Sequence, residues 1–263
     1  MCREFAVAFW QCVSLALFLG IFLMTKISER IKRVQDTINS TCARVGRDPS
    51  NIRLVVVTKS ATLEAIKEVI QLGFTDLGEN RAQQLKRVSA QLAEISEQGD
   101  GDSGTAGKVR WHMIGHLQRN KVRQILPIAS LIHSVDTLRL AEEINSAAAK
   151  LNLCPEVLLQ VNTSNEPQKY GVPVGAATHL AEQIETLPNL RLVGLMTMAP
   201  LTRNRDLIHA CFVRARELFI EMRGEKIVGS QFVELSMGMS SDYEVAIEEA
   251  ATILRIGSAI FAG

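Results

Sequence analysis

Aromatic side chains are scarce in this 263-residue chain, where Phe, Trp and Tyr together make up 5%. Single-stranded nucleic acid is gripped largely by stacking bases on such rings, so the shortage argues against that partner. Charge of one sign is missing too. Lys plus Arg number 29 against 28 Asp plus Glu, a net +1, which leaves no global field to draw in nucleic acid or acidic lipid. The five cysteines (Cys2, Cys12, Cys42, Cys154 and Cys211) are odd in number and form no C-x-x-C pair. That speaks against a disulfide framework and a structural zinc site, and it fits a reducing, cytoplasmic compartment.

Long apolar runs are absent except at the start. From Phe5 to Thr25 no residue is charged, and the run is long enough to cross a bilayer. Lys26, Arg30, Lys32 and Arg33 follow it and would hold the rest of the chain on the cytoplasmic side. A weak n-region and no small-x-small site after the run speak against a cleaved signal peptide. A second reading starts translation at Met24, where Met24-Thr25-Lys26-Ile27-Ser28-Glu29 is an ordinary polar opening. The chain thus divides into residues 1–25, an apolar extension that is either an anchor or a mis-assigned start, and residues 26–263, one domain that carries the chemistry.

Beyond residue 26, short apolar runs alternate with amphipathic stretches. Ile27, Ile31, Val34, Ile38, Cys42 and Val45 recur three and four apart, as in a helix with one buried face. Apolar runs then fall at Arg53–Lys59, Thr75–Asn80, Arg110–Gly115, Leu131–Asp136, Glu156–Asn162, Leu190–Met198, Phe232–Met239 and Ile253–Phe261. Helical patterns separate most of them: Leu63–Leu72, Ala82–Ile95, Leu138–Leu151, Ala176–Leu187 and Leu207–Met222. This alternation predicts an α/β fold, a single-domain (β/α)8 TIM barrel, with the Ile27–Val45 helix covering the gap after the last strand. An open doubly wound sheet is the runner-up. No G-x-G-x-x-G follows the first strand, which counts against its dinucleotide-binding form. The stretch from Gln98 to Gly107 reads as a flexible surface loop.

In such a barrel the chemistry collects at the C-terminal ends of the strands. Lys59 closes the run Leu54-Val55-Val56-Val57-Thr58-Lys59, and lysine forms Schiff bases with carbonyl compounds such as pyridoxal phosphate. The plain alternative is a solvated lysine ending a strand. Ser236-Met237-Gly238-Met239-Ser240 and Gly257-Ser258 follow the seventh and eighth strands, a frequent phosphate site of this fold. They serve equally as ordinary turns, with Ser241 or Asp242 capping the next helix. Arg255 lies among Ile253, Leu254 and Ile256, so its guanidinium is expected to point into the barrel mouth and to need a partner. That partner is a structural carboxylate or a pyridine nitrogen. Beside a donor-only guanidinium the nitrogen would stay unprotonated, making a poorer electron sink. His112 and His116 are four apart without an H-E-x-x-H pattern; His112 is expected to orient a neighbour and His116 to sit in a loop. Asp136 is expected to cap the helix that begins at Leu138.

Taken in order, these pieces resemble a known family. They are Lys59 after Val-Val-Val-Thr, Gly78-Glu79-Asn80, Trp111-His112-x-Ile114-Gly115-x-Leu117-Gln118-x-Asn120-Lys121, Gln160-Val161-Asn162, Gly194-Leu195-Met196, Leu235-Ser236-Met237-Gly238-Met239-Ser240-x-Asp242 and Arg255-Ile256-Gly257. The set, from about Met24 onward, resembles the pyridoxal phosphate homeostasis proteins, whose barrel is like the N-terminal domain of alanine racemase. The resemblance implies a cofactor bound as an imine to Lys59. Its phosphate would be held by Ser236, Met237, Gly238, Met239, Ser240, Gly257 and Ser258, and Arg255 would face the ring nitrogen. Asn80 and His112 would line the pocket. It further implies reversible storage of pyridoxal phosphate, possible transfer to apo-enzymes that use it, and no robust turnover. A racemase or lyase on the same cofactor is the alternative. A two-base racemase needs a second base opposite the lysine, and Tyr170 and Tyr243 do not sit in the matching context. A monomer is expected, with no nucleic-acid partner and a membrane partner only if the extension is an anchor.

The two readings of the extension separate by fractionation. An anchor predicts membrane-bound protein when expression begins at Met1 and soluble protein when it begins at Met24; equal solubility removes the anchor.

Overall fold

The computed structural model describes residues 25–98 and 109–262. The apolar extension up to Met24 and nearly all of the Gln98–Gly107 stretch lie outside the described residues. Among the described residues, no helix is long and apolar enough to cross a membrane.

Eight strands form the barrel: β1 (Arg53–Val57), β2 (Asp76–Glu79), β3 (Arg110–Met113), β4 (Ala129–Val135), β5 (Glu156–Asn162), β6 (Arg191–Met196), β7 (Glu234–Ser236) and β8 (Ile253–Ile256). Each pairs in parallel with its neighbours in sequence, and β8 returns to β1 with Arg53 opposite Ile253 and Val55 opposite Arg255. The sheet is closed, as the alternation predicts, and the open doubly wound alternative is set aside. A two-residue strand, Val172–Pro173, pairs beside the end of β5.

The helices are α1 (Lys26–Arg44), α2 (Leu63–Gln71), α3 (Ala82–Gln98), α4 (Val122–Ile125), α5 (Leu138–Leu151), α6 (Val174–Glu185), α7 (Arg205–Gly224), α8 (Tyr243–Glu248) and α9 (Ser258–Phe261). Thr25 starts α1 by accepting the Ser28 N–H at 3.1 Å, an N-cap that satisfies one orphan amide. The apolar stripe Ile31, Val34, Ile38 and Cys42 is buried, and α1 packs on α2, α8 and α9. It covers the expected gap in the outer ring.

Most strands are shorter than the apolar runs that announce them, and the last run and one helix cap also differ in kind. The last strand stops at Ile256, and Ser258–Phe261 turns into a short helix, because Ser240 Oγ accepts the N–H groups of Gly257 at 3.3 Å and Ala259 at 3.1 Å. Helix α5 is capped by Thr137, whose hydroxyl accepts the Leu140 N–H at 3.3 Å, and not by Asp136.

Side chains alternate between two layers because successive strand residues face opposite sides. Outward residues such as Val56, Leu77, Ile132, Leu159 and Leu254 form one core with the helices. Val55, Leu131, Leu158, Val193, Met196 and Ile253 form a separate plug inside the barrel. Glu79 is the exception in the outward layer: no part of it is exposed, and only one carboxylate oxygen is satisfied, by Thr58 Oγ1 donating at 2.5 Å. Its Oε2 has no partner among the described residues. Burial pushes the Glu79 carboxyl above the usual range, while Thr58, the Asn80 amide, Arg87 and Lys59 pull it back.

Leu158 is fully buried in the plug, so Leu158→Ala should cost about 2–5 kcal/mol in urea unfolding. A loss well under 1 kcal/mol would show a plug that collapses or was never packed. The raised Glu79 carboxyl favours the protonated folded state, so its contribution is most favourable below the unfolded value and is lost as pH rises. Glu79→Gln should therefore gain stability relative to the parent as pH rises through and above the usual carboxylate range. A gap that narrows over that range contradicts the assignment.

Candidate functional site

After Val55 and Val57 of β1, which face the barrel interior, the chain turns at Lys59, an exposed residue at the mouth. It lies on the wall of a cavity of about 750 Å³ at the C-terminal ends of the strands. Asn80, Met239, Ser240, Arg255, Gly257 and Ser258 share that wall. The mouth thus gathers residues from β1, β2, β7 and β8, as a closed parallel barrel does.

Arg255 is 4% exposed. Its Nη1 donates to Ser236 Oγ at 2.6 Å and its Nη2 to the Thr197 carbonyl at 2.9 Å. Burial pushes its pKa down to about 10, against the pull of Asp242, so it remains a cation at neutral pH. Among the described residues, no carboxylate bonds to it directly. The structural-carboxylate option is replaced by a hydroxyl and a carbonyl, and Arg255 still lines the cavity.

The loop after β7 is held from both sides. Gly238 sits at φ +93°, and a Cβ there would come within 2.6 Å of Ala246 Cβ, so the turn depends on glycine. Asp242, at the N-terminus of α8, accepts the Met239 N–H at 2.5 Å instead of capping its own helix. Burial raises the Asp242 carboxyl, while the Met239 amide, Arg255 and Lys169 lower it. Ser240 then ties this loop to the turn after β8 through Gly257 and Ala259. Two turns rich in amides and hydroxyls are joined at one edge of the cavity, a suitable cradle for an anion.

Some expected residues are not on the wall. Met237 is fully buried in the outward core. Ser236 is fully buried beneath the mouth, bonded to Arg255, and Gly238 acts through the backbone. His112, 2% exposed, lies in the lumen with both ring nitrogens bonded, to Asp76 Oδ1 at 2.9 Å and His133 Nε2 at 3.0 Å. It hydrogen-bonds its neighbours and is not among the residues that line the cavity.

Residues expected only as a loop residue or a helix cap also lie at or near the rim. His116 and Tyr170 stack at the rim with ring centroids 4.0 Å apart and planes 12° apart. Asp136 sits near His116 and the Gly171 amide, its carboxyl raised by burial. Gln160 lines the cavity and donates to the Tyr170 carbonyl at 3.1 Å. The position of His116 directly after Gly115 at the end of β3 was a usable signal. Tyr170 lies in an aperiodic connection and carried none.

Comparison with known proteins agrees with this geometry. A family model described as alanine racemase, N-terminal domain, matches residues 32–263. A pyridoxal phosphate homeostasis protein of Aquifex aeolicus is 38% identical over 233 residues, covering 89% of this chain and 96% of the relative. A crystal structure of an unknown protein from Bifidobacterium adolescentis superposes with a TM-score of 0.81 at 34% identity, over 90% of this chain and 94% of the other. PipY of Synechococcus elongatus, solved with PLP bound, superposes with a TM-score of 0.71 at 30% identity, over 86% of this chain and 100% of PipY. The chain belongs to the pyridoxal phosphate homeostasis protein family, built on the alanine racemase N-terminal fold.

Proposed function

We propose that this chain binds pyridoxal 5'-phosphate at the barrel mouth and serves its homeostasis, holding a reactive aldehyde and giving it up again without robust turnover. The observation that carries the reading is the meeting of three groups on one wall: an amine (Lys59), a double-turn anion cradle (Ser240, Gly257, Ser258) and a fixed guanidinium (Arg255). Each matches one feature of the cofactor. The aldehyde condenses reversibly with a primary amine and expels water. The joined turns suit the phosphate, and Arg255 suits an unprotonated ring nitrogen. Asn80 adds a neutral donor and acceptor beside the amine.

Lys59 is exposed on the wall of the cavity. A carrier needs such access, for hydrolysis and for hand-over to apo-enzymes that use the cofactor. Arg255 supports the same reading, since a ring kept unprotonated draws electrons poorly. We assign residues 26–263 to this one cofactor-binding domain, acting in the cytoplasm as a monomer.

One observation favours a second reading, a racemase or lyase. Tyr170 and His116 lie on the same cavity wall as Lys59, so proton-transfer groups are at hand. Turnover of amino acids by the purified protein, above the rate of free pyridoxal phosphate, would establish it.

The bound cofactor should give a visible absorbance band that is lost in Lys59→Ala. Borohydride should trap the adduct on the peptide that contains Lys59. An unchanged spectrum in Lys59→Ala, or an adduct mapped to another lysine, overturns the assignment.

A further inference from the structure

Beneath the cavity, five side chains run across the barrel lumen from Arg255 to Asp76. Arg255 Nη1 donates to Ser236 Oγ at 2.6 Å. Ser236 Oγ lies 3.0 Å from His133 Nδ1, His133 Nε2 lies 3.0 Å from His112 Nδ1, and His112 Nε2 lies 2.9 Å from Asp76 Oδ1. Ser236 stands on β7 and His133 on β4, which are not neighbours in the sheet, so the link between them crosses the lumen. His133 and Ser236 are fully buried and His112 is 2% exposed, so water does not readily replace a missing partner.

With both imidazoles neutral, the two ends set the direction of every bond. A guanidinium only donates, and a carboxylate only accepts. Asp76 is held as a carboxylate by Arg110, which donates to its second oxygen at 2.6 Å. His112 must then donate from Nε2, which leaves its Nδ1 as acceptor. His133 donates to that nitrogen from its own Nε2 and accepts at Nδ1 from the Ser236 hydroxyl. Ser236 in turn accepts from Arg255. Both imidazoles then carry their proton on Nε2, and each ring nitrogen makes one bond. Added protonation of His112, or loss of the carboxylate, would reverse the order as far as Ser236.

We propose that Asp76, His112, His133 and Ser236 form a one-way hydrogen-bond chain that fixes the Arg255 guanidinium, making Asp76, at the opposite end of the barrel, a positioning residue for the ring bound at the mouth. The ring rests on the cofactor reading above; the order of the chain does not. It gives roles to two buried histidines that touch nothing in the cavity.

The test begins with the unliganded protein. Long-range ¹H–¹⁵N correlation of labelled histidines, assigned with single His→Gln variants, should show His112 and His133 neutral and protonated at Nε2. Asp76→Asn, whose amide can donate, should disturb the signals of both rings, including His133, which Asp76 does not touch. Asp76→Glu should restore them. With pyridoxal phosphate added, Asp76→Asn should shift the visible band and weaken retention by roughly 2- to 30-fold, while borohydride still traps the adduct on Lys59.

An Nδ1–H or doubly protonated ring in the unmodified protein overturns the proposal without any variant needing to fold. So does a His133 signal or a bound-cofactor spectrum unmoved by Asp76→Asn. If the tautomers hold and the unmodified protein takes up no pyridoxal phosphate, the cofactor reading fails and the ordered chain stands.

Discussion

A guanidinium only 4% exposed inside a closed barrel is the constraint that shapes this protein. Burying a cation costs several kcal/mol unless its donors are satisfied in place. Here a serine hydroxyl and a backbone carbonyl meet Arg255 at 2.6 and 2.9 Å. The serine therefore belongs to the lumen and not to the cavity wall. The histidines behind it follow, because a buried hydroxyl that accepts from arginine needs an acceptor of its own. The polar interior of the barrel is the requirement of one cation worked outward.

The lumen is divided accordingly. An apolar plug, with Val55, Leu158 and Ile253 among its members, shares the lumen with the polar chain. Above it the wall becomes polar, and the loops after β7 and β8 are locked by Asp242, Ser240 and a glycine in the left-handed region. The rim is exposed, with Lys59 and the His116–Tyr170 stack facing solvent. Rigid below and open above suits a site that must select one small molecule and also let it go.

Much of this was legible in the sequence, for physical reasons. A parallel strand is buried on both faces, so Leu54-Val55-Val56-Val57 reads as a strand without any partner being known. The ends of such strands point to Lys59, Asn80 and Arg255. What stayed hidden depended on contacts across the lumen. His133, inside Leu131-Ile132-His133-Ser134-Val135, looks like any core histidine until its neighbours on β3 and β7 are placed. His112 was expected at the wall because strand ends alone do not say which layer of the lumen a side chain occupies. The last strand was drawn too long because Ile260 and Phe261 continue the apolar run, while the bonds from Ser240 that bend it come from a distant loop. Capping by Thr137 and not Asp136 was a choice between adjacent good caps, decided by which residue took the extended backbone.

The most direct test is a crystal structure of the protein soaked with pyridoxal 5'-phosphate. The account predicts density continuous from Lys59 Nζ into the cofactor, its phosphate against Ser240 and Gly257-Ser258, and Arg255 within hydrogen-bond distance of the ring nitrogen. Cofactor bound elsewhere, or in the mouth with Arg255 turned away from the ring, would contradict it.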